Sequence, residues 1–385
     1  MRILVVHNYY QHRGGEDVVF EQEVQALRKE HQVETIIFEN KKGLEGLIQF
    51  ALYPWNIFAA NKILRKAQDF KADIVHIHNL HYAIGPLVFR KLHRAGFKTV
   101  QTLHNFRLIC PSASLFFDGH LFTSSIHENF PFTALRKKVL DHSYVKTLVT
   151  GLVYYIHKKI KTWNKVDRFI VLSDFAKNIF TSSKIGIEKN KFVVKPNFIP
   201  QPLVTNSTKN NRFIYIGRLS EEKGIIPLLT AMQNTDHQLL ILGTGPQLTE
   251  VLEFCSKNDN LKYGGFLPKE QVSEELNNSE ALIVPSVCYE GMPMSILESY
   301  ALGVPVISSD IGILKEIIKQ DITGLHFDIY NKVSVLNTLQ YWTNISKEEK
   351  EKISQNCTAE YQKYYTESQN INILDGLYSS LIKKN

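Results

Sequence analysis

The stretch ALIVPSVCYEGMPMSILESYALGVPVISSD, residues 281–310, decides the fold. It holds an apolar run at 281–286, a run of good helix formers after Pro293, and a second apolar run at 304–309. Strands that are apolar throughout are typical of parallel sheets that helices cover on both faces. The stretch therefore predicts a strand, a helix and a second, parallel strand.

The same alternation runs along the whole chain. We predict a strand at each of nine further short apolar runs: 2–6, 33–38, 73–78, 98–103, 168–172, 192–195, 212–217, 238–243 and 324–328. Amphipathic stretches separate these runs, and the pattern occurs twice. The predicted fold class is therefore α/β, with two Rossmann-like doubly wound domains.

The boundary between these domains lies in KPNFIPQPLVTNSTKNN, residues 195–211. Proline and small polar residues disfavour helix and strand, so we predict an N-terminal domain over 1–197, a linker over 198–211 and a C-terminal domain over 212–365. Residues 366–385 are expected to form a helix that packs back on the N-terminal domain. Because such sheets bind ligands beyond the carboxyl ends of their strands, we expect both domains to face one cleft.

Length and composition agree with this organisation. A chain of 385 residues is too long for one core, and 44% hydrophobic with 22% charged residues excludes a disordered or collagen-like chain. The four cysteines form no C-x-x-C pair, which disfavours a disulfide framework and a zinc ribbon. No apolar stretch reaches the roughly 18 residues that span a bilayer, and the N-terminus does not resemble a signal peptide. We therefore predict a cytoplasmic protein.

The charge is unevenly distributed. Residues 1–200 contain 29 Lys/Arg and 16 Asp/Glu, a net +13, whereas the remainder contains 16 and 22, a net −6. A basic half joined to an acidic half indicates different partners for the two halves. No nucleic-acid-binding motif accompanies the basic half, so anionic lipid or a phosphate-bearing acceptor is the expected partner.

The segment 288–310 combines a loop with the start of a helix. Pro293 predicts that the helix begins near Met294, so that the first amides form an anion site. The amides in question are those of Met294, Ser295 and Ile296. Glu290 on the loop and Glu298 in the second turn flank this site, where they can bind the neutral hydroxyls of a nucleoside diphosphate sugar. The alternative is that Glu298 only complements the helix dipole and Glu290 is solvated.

Two further segments lie where predicted strands meet loops. Arg218 and Lys223 flank a short loop after strand 212–217, where two cations can converge on one diphosphate; an exposed basic pair is the alternative. Gly14 and Gly15 lie between the first strand and a helix, where backbone can approach a ligand. The full G-x-G-x-x-G fingerprint is absent, which disfavours nicotinamide binding.

Histidines form the last candidate set. His76, His78 and His81 in HIHNLH look like metal ligands, but no carboxylate or cysteine lies close in sequence, so we predict no metal. His104 follows strand 98–103 at its carboxyl end, where we expect a catalytic or sugar-binding imidazole. A structural histidine is the alternative.

Together these segments resemble the retaining glycosyltransferases of family 4, which have the GT-B fold. The resemblance covers nearly the whole chain, and the pair Glu290 and Glu298 is its most specific element. The segments that carry it are GGED (14–17), TLHNFR (102–107), IGRLSEEKG (216–224), EGMPMSILESYALGVPVISSDIG (290–312) and TGLHFD (323–328).

The resemblance implies a role for each matched position. Glu290 faces the donor sugar's hydroxyls, Glu298 holds the ribose hydroxyls, and two cations neutralise the diphosphate. His104 lies on the acceptor side, and Gly15 lies in a loop that closes over the phosphates. The implied catalytic residues are His104, Glu290, Arg218 and Lys223, and the implied donor-binding residues are Gly14, Gly15, Arg218, Lys223, Glu290, Met294, Ser295 and Glu298. Neither a metal nor a cofactor is implied, because the cations do that electrostatic work.

One departure from the family pattern concerns Gly291-Met292-Pro293, which stands where the family often has Gly-Phe-Gly. Pro293 has no N–H, so one backbone donor to the ligand is missing. Met294 and Ser295 are expected to supply amides instead.

The predicted function is a metal-independent, retaining hexosyltransferase that uses a nucleotide-diphosphate sugar in cell-surface polysaccharide or lipid-linked glycan biosynthesis. A nucleotide-sugar epimerase of the same fold and a non-catalytic sugar- or lipid-binding protein are the alternatives. Residues 134–165 hold eight basic residues against one acid, Asp141, with apolar residues interleaved. This pattern predicts an amphipathic helix that lies on the inner face of an anionic membrane; packing against the sheet is the alternative.

Overall fold

The structure, a computed structural model, describes residues 1–11, 14–202 and 209–383. Residues 203–208 of the predicted linker lie outside the described residues. The described residues fall into two compact units, the first within Met1–Leu115, Phe122–Asn197 and Glu367–Asn385, and the second within Phe116–Leu121 and Phe198–Thr366.

Strands and helices alternate through most of the chain. The strands are β1 (Arg2–Tyr9), β2 (Gln32–Glu39), β3 (Ile74–Ile77), β4 (Lys98–Leu103), β5 (Phe116–Phe117), β6 (His120–Leu121), β7 (Arg168–Val171), β8 (Phe192–Val194), β9 (Arg212–Ile216), β10 (Gln238–Leu242), β11 (Leu261–Gly265), β12 (Leu282–Val284), β13 (Val306–Ser309) and β14 (Gly324–Phe327). The helices are α1 (Gly15–Leu27), α2 (Gly43–Leu52), α3 (Ile57–Asp69), α4 (Leu87–Arg94), α5 (Ser124–His127), α6 (Phe132–Lys137), α7 (Tyr144–Lys159), α8 (Asp174–Ser182), α9 (Ile225–Met232), α10 (Leu248–Lys257), α11 (Lys269–Asn277), α12 (Met294–Ala301), α13 (Gly312–Ile317), α14 (Lys332–Asn344), α15 (Lys347–Tyr364) and α16 (Glu367–Ile382).

Each unit contains a six-stranded parallel sheet. The strand order is β2-β1-β3-β4-β7-β8 in the first unit and β11-β10-β9-β12-β13-β14 in the second. Numbered within its own unit, the second order is 3-2-1-4-5-6, the Rossmann order. The central strands are apolar and buried, as the residues Ile3–Val6 of β1 illustrate. The predicted α/β class with two Rossmann-like domains is confirmed.

All eleven predicted strands are present, and the described residues contain three further strands that were not predicted. The edge strand β11 reads LKYGG, where a lysine and two glycines hide the apolar pattern on its half-exposed faces. The strands β5 and β6 have only two residues each and form a hairpin across Asp118 and Gly119, which both have positive φ. The hairpin belongs to the second unit, where the Tyr330 hydroxyl donates to the Gly119 carbonyl at 2.8 Å. In sequence the hairpin lies within the predicted domain 1–197, whereas in space it belongs to the second unit.

The C-terminal helix α16 belongs to the first unit. It buries Leu374, Leu377 and Tyr378, and the Tyr378 hydroxyl lies 2.8 Å from Nδ1 of His76. The Tyr378 hydroxyl of this last helix therefore contacts a buried histidine of β3 in the sheet of the first unit.

The basic segment 134–165 is not one helix, so that prediction is wrong. The helix α6 ends at Lys137, and α7 begins only at Tyr144. Lys138, Asp141 and His142 have φ values of 56°, 52° and 50°, which a right-handed helix cannot contain. The segment therefore contains the end of the short helix α6 and the 16-residue helix α7, which residues 138–143 connect.

Candidate active site

The predicted donor residues of the second unit follow two neighbouring strands. β9 and β12 lie side by side where the strand order reverses, and ligands of such sheets bind at that switch point. The loop after β9 carries Arg218 and Lys223, and the loop after β12 carries Ser286 and Glu290. The fold thus brings two distant segments to one edge of the sheet.

Gly224 allows these two loops to touch. It has a φ of +67°, and a Cβ at this position would lie 2.0 Å from the carbonyl oxygen of Pro285. The amide of Val287 donates to the carbonyl of Glu222 at 3.0 Å across the same contact. Any side chain at position 224 would separate the loops, so the glycine is required for the site.

Lys223 and Glu290 form an ion pair at this contact. Nζ of Lys223 donates to Oε1 of Glu290 at 2.6 Å, and the Ser286 hydroxyl donates to the same oxygen at 2.6 Å. Burial alone would lower the pKa of Lys223, but the charge of Glu290 raises it above its ordinary value. The ammonium keeps donors beyond the one given to Glu290, so it remains a charged donor for an anionic ligand. The pairing and the role of Ser286 were not predicted.

Arg218 lies five residues before Lys223 on the same loop. Its backbone is held by the Tyr215 hydroxyl, which donates to the Arg218 carbonyl at 2.7 Å. Its side chain is exposed. An exposed guanidinium can bind two oxygens of a phosphate through two parallel hydrogen bonds.

The start of α12 supplies backbone donors. As predicted, the helix begins at Met294 directly after Pro293, and no side chain caps it. The amide of Ile296 donates to the carbonyl of Pro293 at 3.2 Å, so the prediction that Ile296 contributes to the anion site is wrong. For the amides of Met294 and Ser295, no acceptor is found among the described residues. These two donors point to an anion at the helix start.

Glu298 lies in the second turn of α12. Its carboxylate is half-buried, and within the described ranges it forms neither a hydrogen bond nor an ion pair. Burial raises its pKa, and the charge of Lys269 only partly opposes this. A carboxylate that is partly desolvated without donors is unfavourable, and ligand hydroxyls would relieve that cost.

In the first unit, polar residues follow β3 and β4. Nε2 of His104 lies 3.1 Å from Nδ1 of His78, and Nε2 of His78 lies 3.1 Å from Oε1 of Glu23 on α1. Nζ of Lys195 donates to Oε2 of Glu23 at 2.6 Å. Burial, with the nearby rings of His78 and His7, holds the pKa of His104 well below its ordinary value. The imidazole is therefore neutral near pH 7.

The HIHNLH histidines do not act together. His76 and His78 share a buried cluster with Glu23, while Nδ1 of His81 lies 2.9 Å from the Tyr53 hydroxyl. A carboxylate is thus close in space although none is close in sequence. Three protein atoms, Tyr378 Oη and Thr102 Oγ1 at His76 and Lys195 Nζ at Glu23, already occupy the positions from which a cation would be bound.

The glycine loop begins α1. The Gly14 amide donates to Oδ2 of Asp17 at 2.9 Å, and Oδ1 of Asp17 lies 2.7 Å from Nε2 of His7, which fixes the helix start on β1. Apart from its two chain neighbours, no atom of the described residues lies within 4 Å of where a Gly14 Cβ would be, so this backbone has space beside it. Gly15 is the first residue of the helix.

Glu16, the third residue of the motif GGED, is a functional candidate that was not predicted from the sequence. Its Oε1 accepts from Nδ2 of Asn79 at 3.0 Å, next to His78. Burial and the charge of Asp17 raise its pKa to about 7. A buried carboxyl group whose pKa is raised in this way is typical of functional sites.

Two family models match this chain. The model described as Glycosyltransferase Family 4 matches residues 13–201, and the model described as Glycosyl transferases group 1 matches residues 201–359. The chain belongs to the glycosyltransferases of family 4, with the GT-B fold.

Two glycosyltransferases and one solved protein illustrate what this chain is similar to. The chain is 28% identical to the amylovoran biosynthesis glycosyltransferase AmsK of Erwinia amylovora. The match covers 37% of this chain and 36% of AmsK. It is 22% identical to the O-antigen biosynthesis glycosyltransferase WclY of Escherichia coli over 83% of the chain and 84% of the relative. The fold matches HepE of Anabaena, solved with UDP and with UDP-glucose; the UDP complex gives a TM-score of 0.71 at 15% identity over 98% of this chain and all of that chain. The chain thus spans little more than a third of the first relative.

Proposed function

We propose that the chain is a retaining glycosyltransferase that moves a sugar from a nucleotide-diphosphate sugar to an acceptor hydroxyl. The observation that carries this is the donor loop, residues 286–298. It combines the paired Glu290 with two backbone amides and a carboxylate, Glu298, for which the described part of the chain offers no partner. A nucleotide-diphosphate sugar is the ligand whose diphosphate fits the amides and cations, and whose hydroxyls fit the carboxylates. The complexes of HepE with UDP and UDP-glucose support a donor of this class.

The difficult step is departure of the nucleotide diphosphate. Arg218, Lys223 and the amides of α12 oppose the negative charge that grows on the leaving oxygen. No covalent nucleophile is assigned, so the acceptor hydroxyl attacks from the face that the leaving group vacates, and the anomeric configuration is retained. The acceptor proton passes to the departing diphosphate, which balances the step.

Because side chains supply this charge, the reaction requires neither a metal nor a cofactor. We expect turnover to be unchanged in EDTA. A loss of turnover that a divalent ion restores would contradict this and would bring the Glu23, His76 and His78 cluster back as a ligand set.

The proposed role is in cell-surface polysaccharide or lipid-linked glycan biosynthesis, in line with the amylovoran and O-antigen functions of AmsK and WclY. The first experiment is a panel of nucleotide sugars scored by the shift in melting temperature. The donor that stabilises most is then incubated with candidate acceptors and the anomer of the product is identified. Conversion of the donor to another nucleotide sugar without an acceptor would favour an epimerase. Binding without turnover would favour a sugar-binding protein.

The proposal extends to location, namely the cytoplasmic face of an anionic membrane. Within the described ranges, no helix is both long and apolar enough to cross a bilayer. The first unit nevertheless exposes large apolar side chains on α2 and just beyond it: Leu44 (79% exposed), Leu47 (65%), Ile48 (59%), Trp55 (49%) and Phe58 (70%). No residue of α2 is buried. An exposed apolar helix of this kind suits a membrane interface or a protein partner.

This apolar surface continues onto the basic helix α7. The ring of Trp55 stacks on His157 of α7 at 5.4 Å, and Ile156 beside it is exposed. The basic residues of this region are Lys146, Lys158, Lys159 and Lys161. Each basic residue near an anionic bilayer contributes about 1 kcal/mol, so charge complementarity favours anionic lipid over a neutral partner.

Flotation with vesicles tests this location. We expect binding to anionic but not neutral vesicles, and release by salt. Trp55 is a reporter, because Trp163 and Trp342 are only 1% exposed. Its emission should shift to the blue on binding, and Leu47→Glu should abolish both effects, whereas Phe266→Ser in the second unit should not. Absence of flotation with both vesicle types at low salt would instead indicate a soluble acceptor.

A further inference from the structure

The hydrogen bonds of the buried network in the first unit have a defined direction. Lys195 can only donate, and its Nζ donates to Oε2 of Glu23 and to Oδ1 of Asn370, at 2.6 and 3.2 Å. Both Lys195 and Glu23 are buried, so each charge needs the other. Glu23 is therefore an ionised carboxylate, which can only accept.

The state of His78 follows from that of Glu23. Because Oε1 of Glu23 only accepts, Nε2 of His78, 3.1 Å away, must carry a hydrogen. Lys195 already neutralises Glu23, so a second proton on His78 would be an uncompensated charge in a buried site. His78 is therefore neutral, and its Nδ1 carries a lone pair.

The state of His104 follows in turn. Its Nε2 lies 3.1 Å from the bare Nδ1 of His78, and two lone pairs cannot face one another at this distance. Nε2 of His104 must therefore carry the hydrogen. For Nδ1 of His104 no protein partner is found in the part of the chain that the structure describes, and the side chain is half-buried rather than closed off.

We propose that Lys195, Glu23 and His78 are positioning residues, which hold His104 as the tautomer protonated on Nε2 and present its bare Nδ1 to a substrate hydroxyl. This inference rests on the proposed function, since it takes the group that meets Nδ1 of His104 to be a hydroxyl of a sugar substrate. His104 then accepts a hydrogen bond and orients the hydroxyl, but it cannot donate to the substrate.

This tautomer restricts the substrate. A carboxylate or phosphate has no hydrogen to donate and would be repelled by the lone pair of Nδ1. The sugar that meets His104 therefore presents a hydroxyl there. A sugar that carries a carboxylate at that position is excluded.

The test is ¹⁵N NMR of the histidine-labelled full chain, with His104 assigned by its absence in His104→Asn. We expect one protonated resonance, from Nε2, and one bare resonance, from Nδ1. In His78→Leu the two tautomers of His104 should both be populated. His78→Asn, whose amide oxygen can replace the Nδ1 acceptor, should restore the wild-type pattern.

Kinetics provide the second measurement. For His78→Leu we expect kcat to fall about tenfold or more with KM little changed, and His78→Asn to recover most of the loss. The control is His31→Asn, a histidine of the same unit whose Nε2 lies 2.7 Å from Oδ1 of Asp375 instead; it should leave kcat and the His104 spectrum unchanged. If His78→Leu does not fold, the wild-type and His78→Asn spectra decide.

A wild-type His104 protonated on Nδ1, or on both nitrogens at neutral pH, would overturn the inference. The spectrum needs no turnover, so it separates this result from failure of the proposed function. The expected tautomer in a protein that transfers no sugar would leave the network intact and refute only the activity.

Discussion

The polar groups at the carboxyl ends of the two sheets differ in whether they are paired with one another. In the first unit the buried polar groups bind one another, from Lys195 through Glu23 and His78 to His104. In the second unit Glu298 lacks a partner among the described residues, and Arg218 is exposed. A complete network is rigid, whereas an incomplete one gains its partners only from a ligand. We infer that the paired groups of the first unit orient a substrate, whereas the open groups of the second unit bind one.

The largest expected effect concerns the closed network. Glu23→Gln leaves the buried Lys195 without a counter-charge, and we expect the free energy of unfolding to fall by about 3–5 kcal/mol. Asp375→Asn, which breaks the more exposed contact of Asp375 with His31 in the same unit, should cost only about 1 kcal/mol or less. Urea unfolding measures both variants, and equal losses would show that the buried network contributes no more to stability than a more exposed pair does.

The next effect concerns catalysis in the open site. Lys223→Ala or Arg218→Ala removes charge that opposes the leaving diphosphate, so we expect kcat to fall by roughly 10²-fold or more. Lys257→Ala is the matched control, because Lys257 pairs with Glu253 on the surface of the same unit. Steady-state kinetics measure this, and unchanged turnover would mean that the two cations are only surface charges.

A smaller effect separates the two glutamates. Glu298→Gln should weaken binding of the bare nucleotide diphosphate about tenfold, because its proposed partner is the ribose. Glu290→Gln should leave that affinity nearly unchanged but impair transfer, because its proposed partner is the sugar. Calorimetry with the nucleotide alone measures both affinities, and equal losses would refute the division of roles.

The last effect is a pH dependence of stability in the first unit. The pKa of Glu16 is raised from 4.5 to about 7 in the folded protein, so the folded state holds its proton more tightly than the unfolded state. Its contribution to stability is therefore full below pH 4.5 and is lost as the pH rises to about 7, by at most about 3 kcal/mol. Glu16→Gln should remove this slope from urea titrations at successive pH values. An unchanged slope would assign the titration to another group.

Much of the fold follows from local chemistry. Continuous apolar runs mark eleven strands, because a strand covered on both faces has no polar side. Pro293 fixes the start of α12, because proline suits the first turn and lacks the N–H that a later position needs. For the same reason the sequence placed Met294, Ser295 and Glu298 correctly on the helix.

The tertiary structure decided what depends on long-range contact. Glu23 reaches Lys195 across 172 residues, and Lys223 reaches Glu290 across 67, so neither pairing has a signal in local spacing. The break in segment 134–165 was also hidden, because its positive φ values fall on Lys138, Asp141 and His142 rather than on glycine. By itself the sequence determined which residues end the strands. Only the fold decided which of them satisfy one another and which stay open, because hydrogen-bond partners are set by distances in space.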